Sequence, residues 1–344
     1  MDTGNDRKEV RWQPGECACG TADLPPASLR RYSITGAPTG RKRNEMSLHP
    51  CVSVIIPAYN HADFVLRSLR SVANQTFRDF EVIVVNDGSP DRTHELCMPL
   101  ADAGSIRYFR QENSGQASAR NRGIDAARGR FIALLDDDDL WPADKLERQV
   151  GVLESDPAAS MVYGRVSLIG PDDAPLSPRE AANGRISTPP DGPEGDCFEA
   201  FARRNYLLSP GQALIRRSAL GKLDEPPFDT DLWGVDDFDL WLRLVRVGPF
   251  RFQPTVSLLY RVHEGNASGS EGRMHRNEMA LYRKVLARTP PNTPEYIAVL
   301  DGGRERYATL RRYWLASAVR SLQKGRWQDA GRRLATFRQL RRPF

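Results

Sequence analysis

Residues 131–141 read FIALLDDDDLW. The apolar run Phe131 to Leu135 has the length and composition of a buried strand, and it stops abruptly in four carboxylates, Asp136, Asp137, Asp138 and Asp139. Carboxylates this close raise one another's pKa. At neutral pH they stay ionised only where water, basic side chains or a divalent cation offsets the repulsion. Oxygen ligands of this kind select hard ions, which points to Mg or Mn. A local reading competes with this one: Asp139, ahead of Leu140, Trp141 and Pro142, would cap a following helix whose positive end favours acids. A cap needs one Asp, however, and four are present.

Upstream, Val52 to Ile56 is a continuous β-branched run stopped by Pro57, the pattern of a central parallel strand covered on both faces. Val65, Leu69 and Val72 then recur at helical spacing. A strand over 81–85, a helix over 91–103, a short strand over 106–109 and a helix over 115–128 lead back to Phe131. This alternation predicts an open, mostly parallel α/β sheet with flanking helices. Such sheets bind ligands beyond the carboxyl ends of their strands. Three polar strand ends fall there: Pro57 to Asn60, Asn86 to Ser89, and the Asp run. Taken alone, the Asn-Asp-Gly-Ser stretch would also serve as an ordinary turn.

Downstream, Leu146, Val150 and Leu153 mark a helix, and 161–163 and 166–169 read as two short strands. Residues 171–196 are rich in Pro, Gly and Asp, as expected of a mobile loop over the site or of an insertion without a role. Residues 233–247, WGVDDFDLWLRLVRV, predict an amphipathic helix with Phe238, Trp241, Leu242 and Val245 on one face. Asp239 and Arg243 are spaced to pair. Asp236 and Asp237 fall in its first turn, where the helix dipole alone would favour acids. A strand over 256–260 runs into Arg261, Val262 and His263. From Gly303 onward, one stripe (Tyr307, Leu310, Trp314, Ala318) and, past Gly325, a second (Trp327, Ala330, Leu334, Phe337) predict two packed helices. Arginines on their opposite faces raise docking on an anionic membrane surface as an alternative role.

Composition narrows the function classes. The 344 residues carry a net charge of +5 with 27% charged side chains, within the range of a globular protein, and no apolar run approaches the ~20 residues that span a bilayer. Residues 1–49 are polar and aperiodic and lack the apolar segment of a secretory signal, so a disordered extension and a cytoplasmic location are expected. Five cysteines without paired spacing argue against a disulfide framework or a zinc site, and basic residues are not interleaved with aromatics as a nucleic-acid surface requires.

Six motifs, VSVIIPAYN, VIVVNDGSPD, NSGQASARNRGI, LLDDDDLW, WGVDDFDLWLRL and YRVHEGNAS, occur in the order seen in family 2 glycosyltransferases of the GT-A fold, which the chain resembles over 52–268. The resemblance implies a GT-A catalytic domain over 50–270, with a nucleotide-binding half (50–141) and an acceptor half (142–270), followed by a basic helical segment over 271–344. It implies an inverting, Mn- or Mg-dependent transferase. Its donor would be a nucleotide diphosphate sugar, with UDP favoured, and its acceptor a glycan or lipid-linked hydroxyl in cell-surface glycan assembly at the inner face of the membrane. Pro57 and Tyr59 would flank the base and Asp87 would accept a hydrogen bond from it. Arg120 and Arg261 would hold the diphosphate, and Asp136 would face the ribose or sugar. Asp138 and His263 would ligate the metal, Asp237 would be the general base, and Asp236 and Trp233 would contact the acceptor. Asp236 stands where the family usually has Glu, one methylene longer. A different class, a catalytically silent nucleotide-sugar-binding scaffold, would show loss of the acidic motif, the helix-start Asp or the His, and none is lost.

Overall fold

The computed structural model describes residues 49–177, 186, 188–266 and 271–340. The expected N-terminal extension, with Cys17 and Cys19, and the middle of the 171–196 loop lie outside the described residues.

The strands are β1 (Val52–Ala58), β2 (Phe80–Asn86), β3 (Arg107–Arg110), β4 (Phe131–Leu134), β5 (Met161–Ile169), β6 (Ala213–Arg216) and β7 (Phe250–Arg261). They form one seven-stranded sheet in the order β3-β2-β1-β4-β6-β5-β7. β1 pairs in parallel with β2 and β4, and β2 in parallel with β3. β6 is inserted antiparallel to both β4 and β5, and β7 runs parallel to β5. Two successive antiparallel pairings restore the direction, so β7 points the same way as β1 and β4. The carboxyl ends of these strands therefore share one edge of a mixed sheet.

The helices are α1 (Ala62–Ala73), α2 (Thr93–Asp102), α3 (Gln116–Ala126), α4 (Lys145–Ser155), α5 (Phe198–Arg203), α6 (Arg217–Leu220), α7 (Asp236–Leu244), α8 (Glu271–Arg288), α9 (Pro294–Gln323) and α10 (Trp327–Gln339). Strand residues alternate between two faces, and both are covered. Val54 and Ile56 of β1 pack with Val65, Leu69 and Val72 of α1 and with Leu146 and Val150 of α4. Ile55 belongs to the opposite layer with Phe238 and Trp241 of α7. That second layer also takes in Met279, Tyr282, Leu310 and Trp314 from the C-terminal helices. Gly302 makes this packing possible, because a Cβ there would lie 2.2 Å from the Ala202 carbonyl oxygen.

Several local expectations are corrected. The two short strands over 161–169 are one strand whose register against β7 shifts around Gly164, Arg165 and Val166. α7 begins only at Asp236, because Gly234 takes a φ of +79°, and Leu240 and Leu244 are buried as well, so the helix is apolar on more than the one expected stripe. Asp139 caps no helix: Asp144 holds the N-cap position of α4, and Asp139 Oδ1 accepts from the Arg261 backbone N–H at 2.8 Å. Trp327, expected in the packed stripe of the last helix, is 73% exposed.

Candidate active site

The Asp run leaves β4 and turns back at once. Leu140 pairs with Leu259 of β7 through backbone bonds of 3.1 and 2.8 Å, and the Ser68 hydroxyl donates to the carbonyls of Asp137 and Asp139. This return lays the end of β7 against the acidic turn. His263 Nε2 comes within 3.0 Å of Asp138 Oδ2, and Asn266 Nδ2 reaches the same oxygen at 3.5 Å. From the neighbouring strand exit, His61 places Nδ1 2.8 Å from Asp137 Oδ1. One ligand atom each from His61, Asp138 and His263 lies within 4.8 Å of the others. Two imidazoles and a carboxylate at this spacing fit a divalent cation, with Asp137 orienting the His61 ring as second partners of metal-bound histidines do. Burial alone would lower the His61 pKa, but the bond and charge of Asp137, with Asp138 and Asp136, outweigh it and raise it to about 9.

Across the turn, the buried Arg120 of α3 links the two halves of the site. It donates to Asp136 Oδ1 at 2.8 Å and to Asp236 Oδ2 at 2.9 Å, with its guanidinium 5.2 Å from the Phe228 ring centroid. Burial opposes the charge on Arg120, but Asp136 and Asp236 more than offset this and raise its pKa. Asp136 also accepts from Gln116 at 2.9 Å and from the Ser209 hydroxyl at 3.2 Å. Next to Asp236, the half-buried Asp237 accepts, among the described residues, only the Phe238 backbone N–H. Burial and the Asp236 charge, opposed by Arg120, hold its carboxyl up at about 7. A carboxylate poised there takes a proton readily near neutral pH.

The remaining expected residues take more structural positions. Asp87 accepts from Gln111 Nε2 and from the backbone N–H groups of Ser114 and Gly115, so its carboxylate anchors the loop before α3. Pro57 is buried inside β1, whereas Tyr59 is 44% exposed and free to meet a ligand face. Arg261, expected at a diphosphate, is fully buried, with Nε donating to the Asp138 carbonyl at 2.6 Å and Nη1 to that of Gly170 at 3.0 Å. Nη1 also meets Asp173 Oδ1 at 2.5 Å, and the guanidinium stacks 4.8 Å from the Phe64 centroid. Asp236 likewise faces Arg120 rather than open space. Trp233 is half-buried under the Arg273 guanidinium at 4.5 Å. Sequence reasoning missed His61, Gln116 and Ser209. The signal for His61 was its position directly after the first strand, in PAYNH.

The sequence model of the family described as Glycosyl transferase family 2 matches residues 53–224. The chain belongs to this family. An uncharacterized glycosyltransferase of Rickettsia conorii is 32% identical to this family 2 chain over 251 residues, which cover 70% of the chain and 38% of the relative. The chain thus spans less than half the length of three such Rickettsia relatives, and about two thirds of the length of two others. The Escherichia coli UDP-Glc:alpha-D-GlcNAc-diphosphoundecaprenol beta-1,3-glucosyltransferase WfaP is 28% identical over 64% of the chain and 80% of its own length. Among solved structures, the mannosyltransferase PcManGT of Pyrobaculum calidifontis, in complex with GDP-Man and Mn2+, superposes with a TM-score of 0.53 at 22% identity over 84% of this chain and 75% of its own. The shared fold is GT-A.

Proposed function

We propose that this chain is an inverting, metal-dependent glycosyltransferase that moves a sugar from a nucleotide diphosphate sugar to a hydroxyl acceptor in cell-surface glycan assembly. The observation that carries the reading is the Asp136–Arg120–Asp236 bridge, which holds the acidic strand exit beside Asp237, a carboxylate without a cation partner of its own among the described residues. In the proposed reaction the acceptor oxygen attacks the anomeric carbon as the bond to the diphosphate oxygen breaks, and Asp237 takes the hydroxyl proton. Asp136, held by Arg120, Gln116 and Ser209, orients the donor sugar, and the exposed Tyr59 and the loop anchored by Asp87 lie toward the base.

His61, Asp138 and His263 would hold the cation, which when bound stabilises negative charge on the departing nucleoside diphosphate. A donor set with two imidazoles suits Mn better than Mg, which prefers oxygen. WfaP uses a UDP-sugar according to its name, which supports UDP here.

No helix among the described residues is long and apolar enough to cross a membrane. Peripheral association is supported by α9, which exposes Leu315, Val319 and Leu322 at helical spacing beside exposed Arg312 and Arg320.

The test is Asp237→Asn, which should abolish transfer while UDP still binds with Mn. Full turnover in that variant, or turnover indifferent to EDTA, overturns the assignment.

A further inference from the structure

A cleft of about 1650 Å³, with His263 of the metal trio and Asn266 on its wall, runs between the end of β7 and the C-terminal helices. Its lining carries eight Lys and Arg side chains and only two carboxylates, Glu264 and Asp329. Some of these cations are already neutralised: Arg306 pairs with Glu278 at 2.7 Å, and Arg332 pairs with Asp329. Others are not. Among the described residues, Arg320 in the last turn of α9, Lys324 at its C-cap and Arg273, which lies over the Trp233 ring, form no ion pair. The floor is partly apolar, with Leu310 and Trp314, and hydroxyls of Ser317 and Ser321 line the same wall.

Cations crowded into one concave wall repel each other and focus a positive potential, which favours an anion spread over several charges. Leu310 to Lys324 spans ~21 Å of helix, enough for a ligand longer than one sugar. Arginine forks bind phosphate oxygens in pairs. We infer that this cleft is the acceptor subsite and that it takes a phosphate-bearing segment of the acceptor, held by Arg320, Lys324 and Arg273 while the accepting hydroxyl reaches Asp237. The inference rests on the transferase reading above, but its test does not require turnover.

The probe is inorganic tripolyphosphate, titrated calorimetrically into the full chain in EDTA-containing buffer, so that the metal site does not contribute. The wild type and Asp138→Asn should bind it alike, and Arg320→Glu/Lys324→Glu should bind at least tenfold more weakly. The milder Arg320→Gln/Lys324→Gln guards against misfolding and should lose several-fold. Farnesyl diphosphate, a soluble lipid phosphate, should compete for the same site. UDP affinity in the presence of Mn should be unchanged in both charge variants. Equal tripolyphosphate affinity in the wild type and the charge variants overturns the proposal. So does loss of the binding in Asp138→Asn, which would assign it to the donor site. Binding confined to phosphatidylglycerol vesicles or to single-stranded DNA, with tripolyphosphate ignored, would assign the cleft to another partner and also overturn it. If the wild type fails to bind any nucleotide with Mn, the transferase reading falls, and the tripolyphosphate result still reads the cleft by itself.

Discussion

Replacing Arg120 by Met removes one cation from between two carboxylates while keeping most of the side-chain volume. Arg120 is 3% exposed and Asp236 4%, and their bond of 2.9 Å is matched by the 2.8 Å bond to Asp136. Breaking a buried ion pair by deleting one partner costs about 3–5 kcal/mol, mostly because the remaining charge is left buried and uncompensated. Asp136 is less buried and keeps its bonds from Gln116 and Ser209, so the cost concentrates on Asp236 and should fall near the lower figure. At roughly 2–4 °C per kcal/mol, the melting temperature should drop by about 6–12 °C at pH 8. Burial already raises the Asp236 carboxyl against the pull of Arg120, so without Arg120 it rises further and takes up a proton as the pH falls. The loss should therefore be smaller at pH 5. Adding Asp236→Asn to the Met variant should recover more than half of it. Calorimetric melts at both pH values, with urea denaturation as a second measure, decide the matter. A Met variant within 1 kcal/mol of wild type at pH 8 would refute the bridge as an organising element, as would a double variant no more stable than the single.

Three further outcomes are expected. Asp237 stands at about 7 in the fold against roughly 3.9 in an unfolded chain, so its contribution to stability is full at low pH and is lost as pH rises through 7. Asp237→Asn should thus melt higher than wild type at pH 8 and equally at pH 4, while wild-type transfer should increase with pH through about 7; a melting difference absent at pH 8 would contradict the buried-carboxylate argument. His61→Ala should weaken Mn binding, followed by electron paramagnetic resonance, by roughly tenfold or more, and wild type should bind Mn more tightly than Mg; unchanged Mn affinity removes His61 from the ligand set. Gly302→Val should lose several kcal/mol and expose α9 to protease, since its Cβ would meet the Ala202 carbonyl at 2.2 Å; a stable, protease-resistant variant would show that the packing can give way.

The first half of the sheet, up to the Asp run, was legible because its signals are local and strong. Val52–Ala58 is buried along its whole length, and Val65, Leu69 and Val72 fall inward as their spacing requires. The Asp turn announced itself by the cost of four adjacent carboxylates. The sequence could not show which of those carboxylates faces which partner. Asp138 meets His263 only because Leu140 pairs back onto Leu259, a contact 119 positions away in sequence. The family resemblance implied a diphosphate contact for Arg261, but its partners in the fold, the Asp138 and Gly170 carbonyls and Asp173, are all about 90 or more positions away in the chain and left no local mark in the sequence. The direction of β6 was equally hidden, since four residues such as Ala213–Arg216 carry no mark of parallel or antiparallel pairing. α8 leaves no separate periodic signal, because its buried Met279, Leu281, Tyr282 and Val285 are scattered among eight charged or amide side chains.

The close approach of Gly302 to Ala202 has an evolutionary consequence. The family's matching region ends at 224, yet the apolar layer beneath the site is completed by side chains from Phe228 to Leu340. A recombination event that joined this chain's first 224 residues to a foreign tail would inherit every acidic group of the donor side and half of a core. Substitutions in the C-terminal helices are therefore constrained by the same apolar layer that supports the site, and most tightly at Gly302, where a Cβ would meet backbone.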